Sequence, residues 1–116
     1  MKTRKVDPSS TQTKYEIEQY LRSVNEGDEV VIRSTQGGLL DLKVTKVTGT
    51  KPSAGRLYTE HSGGWGGTAW YAKSGKNCYA PKAQSNLVIP TREVLEYASS
   101  VKTPEFYVVA PGSHML

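Results

Sequence analysis

One cysteine, Cys78, in 116 residues excludes an intramolecular disulfide, a multi-cysteine zinc site and an iron–sulfur cluster together. A reducing compartment fits that count. Histidine is nearly as scarce: His114 falls in a Gly-Ser-His-Met run that resembles a cleaved-tag remnant, which leaves His61 as the imidazole on which chemistry would have to rest. Long hydrophobic runs are missing too. Apolar stretches such as residues 87–89 and 106–110 fall far short of the roughly 18–20 apolar residues that cross a bilayer, so no membrane partner is expected. The basic residues 1–5 are followed by polar residues 7–14 where a secretory signal needs an apolar stretch, and the expected location is the cytoplasm.

The chain has enough apolar and aromatic residues for one core and too little length for two. Hydrophobic residues make up 36% and charged residues 22%, a balance that disordered chains lack. The formal net charge of +4 is unevenly placed. Residues 51–82 carry Lys51, Arg56, Lys73, Lys76 and Lys82 against Glu60 alone, whereas the flanks nearly balance. The basic middle attracts an anionic partner if folding gathers those side chains on one face.

Residues 1–12 lack apolar periodicity and read as a flexible basic arm, followed by a single domain over 13–101 and a tail over 102–116. Thr13 and Glu16 have capping-box spacing, and Ile17, Tyr20, Leu21 and Val24 make one helical stripe. Period-two alternation then begins. Val30 and Ile32, then Leu40, Leu42 and Val44, predict a hairpin about a turn over residues 35–38. A parity shift to Val47 predicts a bulge or bend near Thr45 and Lys46. Further strands are expected at 56–61, 68–73, 78–79 and 87–89, then a helix capped by Thr91 with Val94, Leu95, Ala98 and Val101 inward. Residues 106–109 read as a last edge strand or as an apolar segment seeking a partner. The expected fold is α+β: a small SH3-like β-barrel or curled antiparallel sheet of about five strands, flanked by N- and C-terminal helices.

Catalysis is poorly supplied, and the chain reads as a non-enzyme with no cofactor and no metal. His61 has Glu60 beside it but no nucleophile elbow or metal-ligand spacing, so a small hydrolase centred there is the weakest reading. The Gly-rich residues 63–67 lack the Lys-Ser or Lys-Thr ending of a phosphate loop and join two strands instead of opening a helix. Cys78, near Lys76, has two readings: a thiol whose pKa a neighbouring cation lowers, or, the preferred one, a plain buried or half-buried thiol.

The informative feature is the interleaving of Tyr58, Trp65, Trp70, Tyr71 and Tyr79 with the five cations. Flat rings beside Lys and Arg on a curved sheet stack bases and neutralise phosphates together. The candidate nucleic-acid-binding residues are therefore Lys51, Arg56, Tyr58, Trp65, Tyr71, Lys73, Lys76, Tyr79 and Lys82, with Lys2, Arg4 and Lys5 adding an arm. The competing reading lets Trp70 and Tyr58 fill the core while the lysines keep the exterior soluble. A second functional reading makes the chain a protein-interaction or inhibitor module anchored by Trp65 or by residues 106–109.

Residues 27–32, a Gly-Asp-x-Val opening of a first strand, and the second strand's Lys43-Val44-Thr45-Lys46-Val47 resemble the SH3-like barrels of KOW and Tudor-type modules over about residues 27–90. The 36–38 turn departs from the KOW pattern, and the flanking helices and Gly-rich loop are additions. The resemblance implies a binding module for nucleic acid, peptides, or ribosomal and transcription components. Small size and the lack of catalytic motifs also resemble accessory proteins of phages or plasmids.

Overall fold

The computed structural model describes residues 5–62 and 67–110. It is a small α+β domain: a mixed open sheet of seven strands and two helices. Strand β1 is Lys5–Val6, followed by helix α1 (Lys14–Ser23), β2 (Glu29–Gln36) and β3 (Leu39–Lys51). A 3-10 turn at Pro52–Ala54 leads to β4 (Arg56–Thr59), β5 (Ala69–Tyr71), β6 (Ser85–Val88), helix α2 (Arg92–Ser100) and β7 (Glu105–Val108).

Helix α1 starts where its capping box predicts. Thr13 Oγ1 accepts from Glu16 N–H at 3.0 Å, and Glu16 Oε1 accepts from Thr13 N–H at 2.9 Å, so two otherwise orphaned donors are satisfied. Ile17, Leu21 and Val24 are buried, and Tyr20 lies half-buried with its hydroxyl donating to Glu29 O at 2.8 Å. Thr91 caps α2, which buries Val94 and Tyr97.

The β2–β3 hairpin turns on Gly37 and Gly38, with φ of 60° and 83°, a pair of left-handed positions that suits the twist of a tight hairpin. β3 is the spine. Its first half pairs with β2 and, through Leu39 and Leu40, with β7; its second half pairs with β4. The irregularity that redirects it falls between Val47 and Gly49, a little beyond the expected Thr45–Lys46 position. Thr45 tolerates its buried place because its hydroxyl accepts from His61 N–H at 3.2 Å and lies 3.2 Å from His61 Nδ1. His61 is thereby tied into the fold.

Three expectations are corrected. The barrel is not closed: among the described residues β5 and β6 are not paired, and the gap between them is spanned by isolated bridges, Trp70 to Asn77 and Lys76 to Asn86. The strand expected at 78–79 is replaced by those bridges, and β1 and β7 bring the number of strands to seven. The arm expected over residues 1–12 is ordered against the sheet in its described part, although Lys5, Val6 and Thr11 stay exposed. β1 runs parallel to β7, Asp7 is fully buried, and Ser9, Ser10 and Gln12 are buried beside it. Gln12 fixes itself by a reciprocal pair of hydrogen bonds to the Ile89 backbone, at 2.9 and 2.8 Å. Residues 1–4, with Lys2 and Arg4, lie outside the described residues.

Core residues occupy both faces of the sheet. On one face Val30, Ile32 and Leu87 join Leu57 and Trp70, while on the other Val31, Leu42 and Val88 are also fully or nearly fully buried. Two-sided burial explains why β2 reads as a continuous apolar run at Val30-Val31-Ile32.

Candidate nucleic-acid interface

The pairing registers place four of the expected residues in one row. Lys51 is opposite Arg56, Arg56 is opposite Tyr71, and Tyr71 N–H donates to Lys76 O at 2.9 Å across the gap. Directly opposed residues share a face, so Lys51, Arg56, Tyr71 and Lys76 project from the same side. At about 4.8 Å per strand the row spans about 14 Å. It continues from Lys76 to Asn86 and then Arg33, its partners in the adjoining bridge and strand.

Alternation along β4 puts Tyr58 on the same side as Arg56, with Gly49 and Ala69 as its opposite neighbours. A ring is thus flanked by two small residues beside the cationic row. Arg56 Cζ lies 5.8 Å from the Tyr71 ring centroid, a cation–π arrangement that holds the guanidinium over the platform. Trp70 and Leu57 face the opposite way, into the core. The competing reading is therefore right for Trp70, whereas Tyr58 stays half-exposed on the outer face.

Lys51, Arg56 and Lys76 of this row have no ion-pair partner among the described residues. The ion pairs among the described residues join Lys5 to Glu105, Arg22 to Glu18, Arg33 to Asp7 and Arg92 to Glu96, and none uses Lys51, Arg56, Lys73 or Lys76. Lys76 is half-buried, and its pKa is pushed below the usual lysine value by burial first, then by the Arg33 and Lys14 charges. An ammonium held in that setting gains from any anion that approaches it. Lys73 is exposed in the turn between Tyr71 and Lys76.

Gly75 positions Lys76. It has a φ of 75°, accepts from Leu87 N–H at 2.8 Å, and a Cβ there would come 2.8 Å from Leu87 O. Gly75→Ala is expected to cost more than about 1 kcal/mol, because left-handed strain adds to a backbone clash. Chemical denaturation would show this as a lower midpoint at unchanged slope.

The remaining expected residues lie elsewhere. Lys82 lines a cavity bounded by β2 and β3 residues, away from the row. Tyr79 is exposed and covers Gly67, whose Cβ would come 2.7 Å from the ring. Trp65 lies outside the described residues. Cys78 is half-buried, and burial pushes its thiol pKa up, outweighing the opposing Arg56 charge and Tyr71 hydrogen bond, which agrees with the plain-thiol reading and not with the cation-lowered one. Arg33 is the residue that sequence reading passed over. It extends the row but is neutralised by Asp7, and a long-range ion pair leaves no local pattern to find.

No helix among the described residues is long and apolar enough to cross a membrane, and no group of three or more His, Cys, Asp or Glu among them is placed to hold a metal ion. No protein-family model, curated protein or solved structure matches the chain.

Proposed function

We propose that this protein is a non-catalytic nucleic-acid-binding module of the cytoplasm whose platform is the outer face of β3, β4 and β5. The observation that carries the reading is the row Lys51, Arg56, Tyr71 and Lys76, three cations without an ion pair among the described residues around an aromatic ring. The cations neutralise phosphates, and Tyr71 and Tyr58 offer π-faces that stack on bases. Flexible single strands suit this face better than duplex, because paired bases do not present their faces to rings on a sheet.

The test is fluorescence anisotropy with labelled single-stranded and duplex DNA and RNA, at low and near-physiological salt. Saturable single-strand binding with a negative salt slope is expected. The double charge reversal Arg56→Glu with Lys76→Glu should weaken it about 100-fold or more and flatten the slope. Tyr58→Ala and Tyr71→Ala should each cost about 1–3 kcal/mol with the slope largely retained. Absence of binding at low salt, or a reversal variant that binds like wild type, would reject the reading.

One observation favours the second reading, a protein-interaction module. Val6 and Val108 are opposed in the β1–β7 pair, Phe106 lies on the same side by alternation, and all three are well exposed. Under that reading Phe106→Ala would abolish partner capture and the reversal variant would leave it intact.

A further inference from the structure

The end of the sheet face that carries Val30, Ile32 and Leu87 opens into a cavity of about 570 Å³. Its geometry follows from the register. Ser34 is opposite Asp41 on β3 and Ser85 on β6, so the three side chains form one row across β3, β2 and β6. They alternate with Arg33 and Asn86, which puts this row on the face opposite the cationic one. Leu39 and Pro104 add apolar surface, and Lys82 closes another side. The segment carrying Lys82 is tied to β2 where Thr35 N–H donates to Gln84 O at 3.0 Å.

Three polar groups at this cavity are without partners among the described residues. Ser85 is 3% exposed and its hydroxyl makes no hydrogen bond, a state that buried polar groups rarely keep. Asp41 and Lys82 are exposed charges of opposite sign that line the same cavity, and neither forms an ion pair. The Ser85 hydroxyl is covered, so meeting a ligand requires a change of its χ1 rotamer.

We propose that this cavity binds a small zwitterion of the amino-acid class. Its ammonium group is received by Asp41 and its carboxylate by Lys82, while Ser85 supplies a hydrogen bond and Leu39 and Pro104 meet the side chain. A ligand with one sign of charge would leave Asp41 or Lys82 unmatched. A purely apolar ligand would leave both, together with the hydroxyl.

Isothermal titration with free amino acids, their N-acetyl derivatives and their amides provides the test. Saturable binding of at least one free amino acid is expected, with a Kd of about 10 μM to 1 mM, and at least tenfold weaker binding of both blocked forms. Lys82→Gln should erase the preference for the free form over the amide, and Asp41→Asn the preference over the N-acetyl form. Ser85→Ala should weaken binding about tenfold while leaving the unliganded melting temperature at or above wild type, since it removes an unmatched polar group. Saturable binding by no free amino acid, or equal binding of blocked and free forms, would overturn the assignment. The Arg56→Glu, Lys76→Glu variant should retain amino-acid binding, so this site and the nucleic-acid platform fail separately.

Discussion

Arg33→Ala is expected to remove about 3–5 kcal/mol of stability, a large part of what a domain of this size possesses. Arg33 Nε lies 2.8 Å from Asp7 Oδ2, and the Asp7 side chain is wholly inaccessible. The other carboxylate oxygen accepts from Ser9 N–H at 2.9 Å and Ser9 Oγ at 2.7 Å, so Asp7 is held in place when its counter-charge is deleted. An uncompensated carboxylate in the interior is then left behind. The guanidinium also sits 5.5 Å from the Tyr107 ring centroid, and its removal loosens β7 together with β1. Urea denaturation measures the loss directly. The double variant Asp7→Leu, Arg33→Met separates charge from packing: it should recover most of the lost stability, because an apolar pair carries no desolvation cost. A single Arg33→Ala variant within about 1 kcal/mol of wild type would show that water reaches Asp7.

Trp70→Ala is expected to cost a similar amount, about 3–5 kcal/mol, for a different reason. Trp70 is fully buried between the strands of the core face and donates from Nε1 to Thr59 Oγ1 at 2.8 Å. Thr59 Oγ1 in turn donates to His61 O at 2.7 Å, so one hydroxyl serves the indole and the strand end at once. Alanine opens a cavity and leaves that hydroxyl one partner short. Thr59→Val tests the polar part alone and should cost about 1–3 kcal/mol by orphaning the indole N–H. Because Tyr71 follows Trp70 on a strand of only three residues, the Trp70→Ala variant should also bind single strands more weakly. Stability loss with undiminished binding would mean that the outer face does not depend on the core behind it.

Local chemistry was legible in the sequence. The capping box at Thr13 and Glu16, the Gly37–Gly38 hairpin turn and the helix after Thr91 each depend on residues a few positions apart, and each forms. What failed depends on distance along the chain. Residues 5–12 look structureless because their order comes from Arg33, Ile89, Val108 and Ala110, none of which is a neighbour in sequence. Barrel closure failed for a related reason. Ser74 to Asn77 reaches across the gap by single bridges, and strand propensity does not distinguish a bridge from a ladder. For the candidate interface, composition located the basic and aromatic segment, while only the register showed that Lys51, Arg56, Tyr71 and Lys76 align and that Lys82 does not. The Ser34, Asp41 and Ser85 row had no sequence signal, since its members come from three strands and belong to common residue types.

The parallel pairing of β1 with β7 has a consequence for the order in which the molecule is assembled. Asp7 N–H donates to Val108 O at 2.8 Å, and Ala110 N–H donates to Ser10 Oγ at 2.8 Å, so residues 7–10 take hydrogen-bond partners from a segment made about a hundred residues later. On the ribosome, at roughly 5–20 residues per second, residues 5–10 wait for several seconds with no strand to join. The helix α1 and the β2–β3 hairpin, whose partners are local, are complete long before. The stitch between residues 5–10 and residues 105–110 thus closes after the local elements, and until it is made the nascent protein carries Arg33 without its settled anion.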